Sequence, residues 1–174
     1  MIHIVIPVGL LQCNCSIFGD EEGRTAIVVD PGDQIDDITA ILRKHQLTVK
    51  AIVITHAHID HVAGAHLLKQ QTGAPVYMNP DDQELLNDLA MQADWLGVET
   101  PDKVEVDQDI GDTFRLMLAK TDFHVLHTPG HTQGSICLYI PRENKLIAGD
   151  TLFRDSIGRT DLPEIGRASC RQRV

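Results

Sequence analysis

The stretch Ala51-Ile52-Val53-Ile54-Thr55-His56-Ala57-His58-Ile59-Asp60-His61 decides how this chain is read. Its first four residues are apolar and mostly β-branched, the short run expected of a strand buried on both faces. Three imidazoles and one carboxylate then fall between His56 and His61. Neutral imidazole suits Zn(II), iron and similar ions, whereas an all-carboxylate cluster would suit Mg(II) or Ca(II). In an extended turn His56 and His58 can point the same way, while Asp60 and His61 follow at the opening of the next helix. Two neighbouring metal sites become feasible. Histidine is common on surfaces, but four ligand-type side chains packed this densely behind a strand favour a metal site over solvated residues.

Two further donors lie downstream. His131 sits in Thr128-Pro129-Gly130-His131-Thr132 after the strand-like Phe123 to Leu126, and Asp150 sits in Gly149-Asp150-Thr151 after Leu146-Ile147-Ala148. Singly, a Pro-Gly-His or Gly-Asp turn is ordinary punctuation. Collected at strand ends, such residues are what a rigid sheet can hold to the tolerance metal geometry demands.

β-branched content and turn boundaries predict strands at Cys13 to Phe18, Thr25 to Val29, Val49 to Ile54, Pro75 to Met78, Phe114 to Leu118, Phe123 to Leu126, Ser135 to Ile140 and Lys145 to Ala148. Ile2 to Leu11 lacks the basic start and cleavage site of a signal peptide and reads as a first strand. Ile35, Ile38, Ile41 and Leu42 make one helical stripe, and Leu85, Leu86, Leu89 and Ala90 make another behind Asn79 as N-cap and Pro80 at the first helical position. Asp60 to Gln71 is expected to form one helix ending at Gly73. Periodicity alone gives an α/β protein.

The series Thr55-His56-Ala57-His58-Ile59-Asp60-His61, Pro129-Gly130-His131-Thr132 and Gly149-Asp150-Thr151-Leu152-Phe153 resembles the metallo-β-lactamase superfamily of hydrolases. Val29-Asp30-Pro31-Gly32 and Ser156-Ile157-Gly158-Arg159-Thr160-Asp161-Leu162-Pro163 resemble its glyoxalase II-like branch, the hydroxyacylglutathione hydrolases. The resemblance runs from about Met1 to Pro163. It implies an αββα sandwich of two packed mixed sheets flanked by helices. It also implies two Zn(2+) per chain, with Fe or Mn as alternatives. His56, His58 and His131 would hold the first ion, Asp60, His61 and a later histidine the second, and Asp150 would bridge them. No histidine follows His131 in this chain.

Residues Glu164 to Val174 show neither helical nor strand periodicity and resemble the translation of a sequencing adapter. The hydrolase domain is therefore expected over residues 1–163, lacking its last strand and helix, with 164–174 a non-native tail. A sheet edge and apolar surface would then be uncovered, favouring aggregation.

That tail carries three Arg and one Glu, leaving 12 basic and 24 acidic residues before it. So acidic a body, poor in aromatics, offers no electrostatic footprint for nucleic acid or an anionic membrane. No run of 18 apolar residues suggests a membrane span. Cys13, Cys15, Cys137 and Cys170 show no zinc-finger spacing and read as reduced, in keeping with a cytoplasmic protein.

The implied activity is hydrolysis of a small-molecule thioester, such as S-lactoylglutathione, by a metal-bridging hydroxide, with Asp60 as the catalytic carboxylate. Asp30 is expected either to orient a ligating imidazole or to serve as a turn residue leading into a helix, and Met91 to Asp102 either to form a loop over the cleft or to be an ordinary helix-to-strand connection. Two rival readings are a mononuclear-iron persulfide dioxygenase and a catalytically impaired metal-binding fragment. Metal content, thioesterase activity and oxygen uptake discriminate among them.

Overall fold

The computed structural model describes residues 1–161. Strands β1 (Ile2–Val8), β2 (Cys13–Asp20), β3 (Thr25–Val29), β4 (Thr48–Val53), β5 (Val76–Met78) and β6 (Gln108–Asp109) form one sheet in that order. β1, β2 and β3 are antiparallel neighbours, while β3 to β6 run parallel. Parallel neighbours require crossovers, and helix α1 (Ile35–Lys44) supplies the one between β3 and β4. β7 (Arg115–Leu118), β8 (Thr121–His127), β9 (Ile136–Ile140) and β10 (Lys145–Ile147) form an antiparallel second sheet in the order β10-β9-β8-β7. β11 (Leu152–Phe153) and β12 (Ser156–Ile157) make a small hairpin.

Two hydrophobic layers hold this arrangement. Phe18, Ile27, Val29 and Val53 of the first sheet meet Leu116, Phe123, Ile136 and Leu138 of the second. The other face of the first sheet, through Ile17, Val28, Ile52 and Met78, packs on Ile38 and Leu42 of α1 and on Leu68. Helix, sheet and sheet are thus stacked in that order. Among the described residues no helix covers the outer face of the second sheet, where Met117, Leu126, Tyr139 and Leu146 are exposed. The tail expected over residues 164–174 lies outside the described residues.

The single helix expected from Asp60 to Gln71 is instead α2 (Ile59–Val62) and α3 (Ala65–Thr72). The break falls at Gly64, whose N–H donates to the Gly32 carbonyl at 3.1 Å. A Cβ there would stand 2.5 Å from the Pro31 carbonyl oxygen, so only glycine permits this approach. The expected cap at Asn79 is present, its side chain accepting from Asp81 N–H at 3.0 Å. It opens a 3-10 turn, Pro80–Asp82, which leads into α4 (Gln83–Asn87) and α5 (Leu89–Leu96). β1 stops at Val8 and hands over to a turn carrying Leu10 and Leu11. No helix among the described residues is long and apolar enough to cross a membrane.

Candidate metal centre

The loops after β3, β4, β8 and β10 open on one side of the two packed sheets. This is where a parallel sheet places its ligands, at the carboxyl ends of strands. Asp30 follows β3, Thr55 to His61 follow β4, His131 lies between β8 and β9, and Asp150 follows β10. The Ile136 N–H donates to the Thr55 carbonyl at 2.9 Å, tying the second sheet to the β4 loop.

There the imidazoles converge. The His56 ring centroid lies 4.7 Å from His58, 4.0 Å from His61 and 4.8 Å from His131, and His58 and His131 are 4.6 Å apart. Donor atoms of His56, His58 and His131 lie within 4.8 Å of one another, as do those of His56, His61 and Asp150. Asp150 spans both groups, with Oδ1 3.4 Å from His61 Nε2 and Oδ2 3.6 Å from His131 Nε2. Asp60 stands at the edge, its Oδ2 3.6 Å from His61 Nε2.

Three of the four rings are aimed by their other nitrogen. His61 Nδ1 meets Asp30 Oδ2 at 3.0 Å, His131 Nδ1 meets the Arg159 carbonyl at 2.9 Å, and His56 Nδ1 meets Thr55 Oγ1 at 3.1 Å. Thr55 Oγ1 in turn donates to Asp30 Oδ2 at 2.7 Å, and Thr55 N–H donates to Asp30 Oδ1 at 2.7 Å. One buried carboxylate therefore orients two histidines, as expected of Asp30. Partners of this kind fix the tautomer and turn Nε2 to the centre, where His131 Nε2 meets His58 Nδ1 at 2.9 Å. His56 Nε2 is buried and has no hydrogen-bond partner among the described residues. A polar atom stranded this way is costly, and a cation at the centre would satisfy it. The donor set fits imidazole-preferring divalent ions.

A second buried carboxylate escaped the sequence reading. Asp82 accepts from Ala57 N–H at 2.9 Å, from Thr132 Oγ1 at 2.8 Å and from Gly134 N–H at 2.6 Å, joining the loops that carry His58 and His131. Gln92 of α5 likewise accepts from Ile59 N–H at 2.8 Å and donates to the Ala57 carbonyl at 3.2 Å. On the far side, a Cβ at Gly158 would sit 1.7 Å from the Asp150 carbonyl oxygen, so the β12 end must pass the donor loop as glycine.

Burial, reinforced by the neighbouring His61, His58 and His131, holds His56 well below the usual imidazole range, so it is neutral at physiological pH. For His61 burial also works downward, but the charge of Asp30 and hydrogen bonds to Asp150 and Asp30 outweigh it and raise the group well above its ordinary value. Asp150 is pushed up by burial yet held below the carboxylate range by its hydrogen bond to His61 and the nearby imidazoles. Burial pushes the Cys13 thiol up to about 11, despite its hydrogen bond to His61. Cys13, Cys15 and Cys137 are free and buried, and burial raises the latter two as well. His127 turns to the Gln133 carbonyl at 2.9 Å. Of Met91 to Asp102, the first part is helical, whereas Leu96 and the segment from Val98 to Asp102 line a cavity beside Asp60.

Residues 8–172 match the model of the metallo-beta-lactamase superfamily. The hydroxyacylglutathione hydrolase GloC of Haemophilus influenzae (strain ATCC 51907 / DSM 11121 / KW20 / Rd) is 36% identical over 162 residues, covering 91% of this chain and 76% of that protein. Among solved structures, the B3 metallo-beta-lactamase BLEG-1 superposes with a TM-score of 0.85 at 32% identity, covering 94% of this chain and 79% of the other. A protein solved in a di-iron-bound form gives a TM-score of 0.84 at 33% identity, covering 93% of this chain and 79% of that one.

Proposed function

This chain belongs to the metallo-β-lactamase superfamily, and from that premise we propose that it is a metal-dependent hydrolase of small-molecule thioesters such as S-lactoylglutathione. The observation that carries the reading is the convergence of His56, His61 and His131 on one centre, each with its outer ring nitrogen already engaged. His56, His58 and His131 would hold one ion and His61 with Asp60 a second, Asp150 lying between them. Zinc fits this donor set, and iron or manganese are alternatives, the di-iron relative among the solved structures supporting iron. When bound, such a pair acidifies water towards neutrality and polarises a carbonyl oxygen.

The side chains supply the rest. Asp60 keeps 17% exposure and lines the adjoining cavity, so its carboxylate can take the proton of an attacking water. Asp30 and Asp82 keep the imidazoles and their loops from relaxing as charge develops. Raised thiol pKa values leave Cys13, Cys15 and Cys137 protonated, and a nucleophilic cysteine is not needed. Free thiols suit a reducing cytoplasm, and the acidic chain suits a small-molecule substrate over nucleic acid or membrane.

A mononuclear persulfide dioxygenase would need two histidines and one aspartate, fewer donors than converge here. The deciding experiment measures metal content alongside S-lactoylglutathione hydrolysis. Two equivalents of metal, with hydrolysis lost on chelation and in Asp60→Asn, support the proposal. Fully loaded protein inert towards thioesters refutes it, favouring the impaired binder, and one iron with oxygen uptake on glutathione persulfide would transfer the assignment to the dioxygenase.

A further inference from the structure

A cavity of about 860 Å³ opens beside the donor cluster and has Asp60 in its wall. Its sides come from the turn after β1, the start of α1, the α2–α3 corner and the segment after α5. The apolar part includes Leu10, Leu11, Leu67, Leu96 and Val98, of which Leu10 is 72% and Leu11 52% exposed. Large aliphatic side chains left in water around a concavity mark a surface that covers something apolar.

The charged part has one sign. Asp33, Asp36, Asp37, Asp60, Glu99 and Asp102 line the cavity, and no Lys, Arg or His among the described residues does so. Asp36 and Asp37 occupy the first turn of α1, where a helix dipole favours carboxylates whatever the ligand. That account does not extend to Glu99 and Asp102, which follow the C-terminal end of α5, where the dipole offers an anion nothing. Carboxylates from two separate segments facing one apolar concavity concentrate a negative potential within it.

We propose that this cavity is the subsite for the part of the substrate remote from the scissile bond, and that it selects an apolar group bearing a cationic or neutral head over an anionic one. The assignment rests on the hydrolase reading of the adjoining centre. S-lactoylglutathione, with two carboxylates and one ammonium, then remains a substrate of the centre but a slower one than a thioester with an alkylammonium end.

The test compares three butyryl thioesters on the metal-loaded full chain: cationic butyrylthiocholine, neutral S-butyryl-N-acetylcysteamine and anionic S-butyrylglutathione. At low ionic strength kcat/KM for the cation should exceed that for the anion by about tenfold or more. The ratio should shrink as salt screens the carboxylates, and a Glu99→Lys, Asp102→Lys double variant should narrow or invert it. Calorimetric titration of hexyltrimethylammonium and of hexanoate gives a readout independent of turnover, with tighter binding of the cation expected in the parent and lost in the double variant. Hydrolysis of all three with no charge preference, or with preference for the anion, overturns the subsite assignment and leaves the hydrolase standing. Failure to hydrolyse any of them, with alkylammonium binding that still depends on Glu99 and Asp102, overturns the hydrolase and leaves a cation-selective cavity.

Discussion

Asp30 and Asp82 are both buried carboxylates beside the donor cluster, 2% and 1% exposed, yet they grip different things. Asp30 reaches a titratable ring, His61, directly and a second, His56, through Thr55. Asp82 reaches two backbone amides and a hydroxyl. The first couples the fold to the charge of the metal site. The second couples two loops to each other and leaves the protonation of the rings alone. Orienting a donor and positioning the loop that carries it are separable tasks here, and the variants that separate them follow in order of expected size.

Asp82→Ala should be the most damaging to stability. It strands the amides of Ala57 and Gly134 and the Thr132 hydroxyl in the interior, and a broken buried network of this kind costs about 3–5 kcal/mol. Denaturant melts of the metal-free protein should show that loss. An unchanged midpoint would mean the two loops hold their places by packing alone.

Asp30→Asn should leave the chain folded but weaken metal binding by about 10–100-fold, because His61 and His56 lose their anionic anchor. Competition with a chromogenic chelator measures this. An affinity loss as large in Asp82→Asn as in Asp30→Asn would erase the distinction between the two carboxylates.

The pH dependence sharpens it further. In metal-free protein the raised His61 contributes stability that is complete below about pH 6.5 and is lost as pH rises through its folded value. His56 has the opposite sign: held neutral in the fold, it contributes stability that is present above about pH 6.5 and falls as the unfolded chain takes up protons below it. Stability should therefore peak near neutrality, each limb falling by about 1.4 kcal/mol per pH unit within its window. Asp30→Asn should diminish the alkaline limb to what Asp150 sustains and keep the acid one, whereas Asp82→Asn should keep both. Melts across pH decide it, and an alkaline limb undiminished in Asp30→Asn would detach His61 from its assigned partner.

Thr132→Val should have the smallest effect. It removes one of the three donors to Asp82, at about 1 kcal/mol, with metal affinity nearly unchanged.

The same contrast separates what could be read from the chain and what could not. The donors were legible because ligand chemistry demands particular residue types at strand ends, and His56, His58, His131 and Asp150 announce themselves by type and by the apolar runs before them. Asp30 was legible as a carboxylate in a turn after a strand. Asp82 was not, because an acid following Asn79 and Pro80 looks like ordinary first-turn helix chemistry, and its partners are mostly backbone groups distant in sequence. Gln92 similarly passes for a surface residue of α5. Strands of four or more residues announced themselves by composition, while the two-residue β6, β11 and β12 carry too few side chains for any periodicity. The helix break at Gly64 depends on a neighbouring turn, so no local pattern encodes it.

The hydrophobic tip formed by Leu10 and Leu11 hangs on a two-strand arm whose base is paired from Ile2 to Val8. Because that arm contributes no donor nitrogen, substitutions at its tip can reshape the adjoining cavity while the histidine cluster is left intact. Sequence change among descendants of such a protein should accumulate in this arm and in the stretch around Glu99, and the histidines should change last.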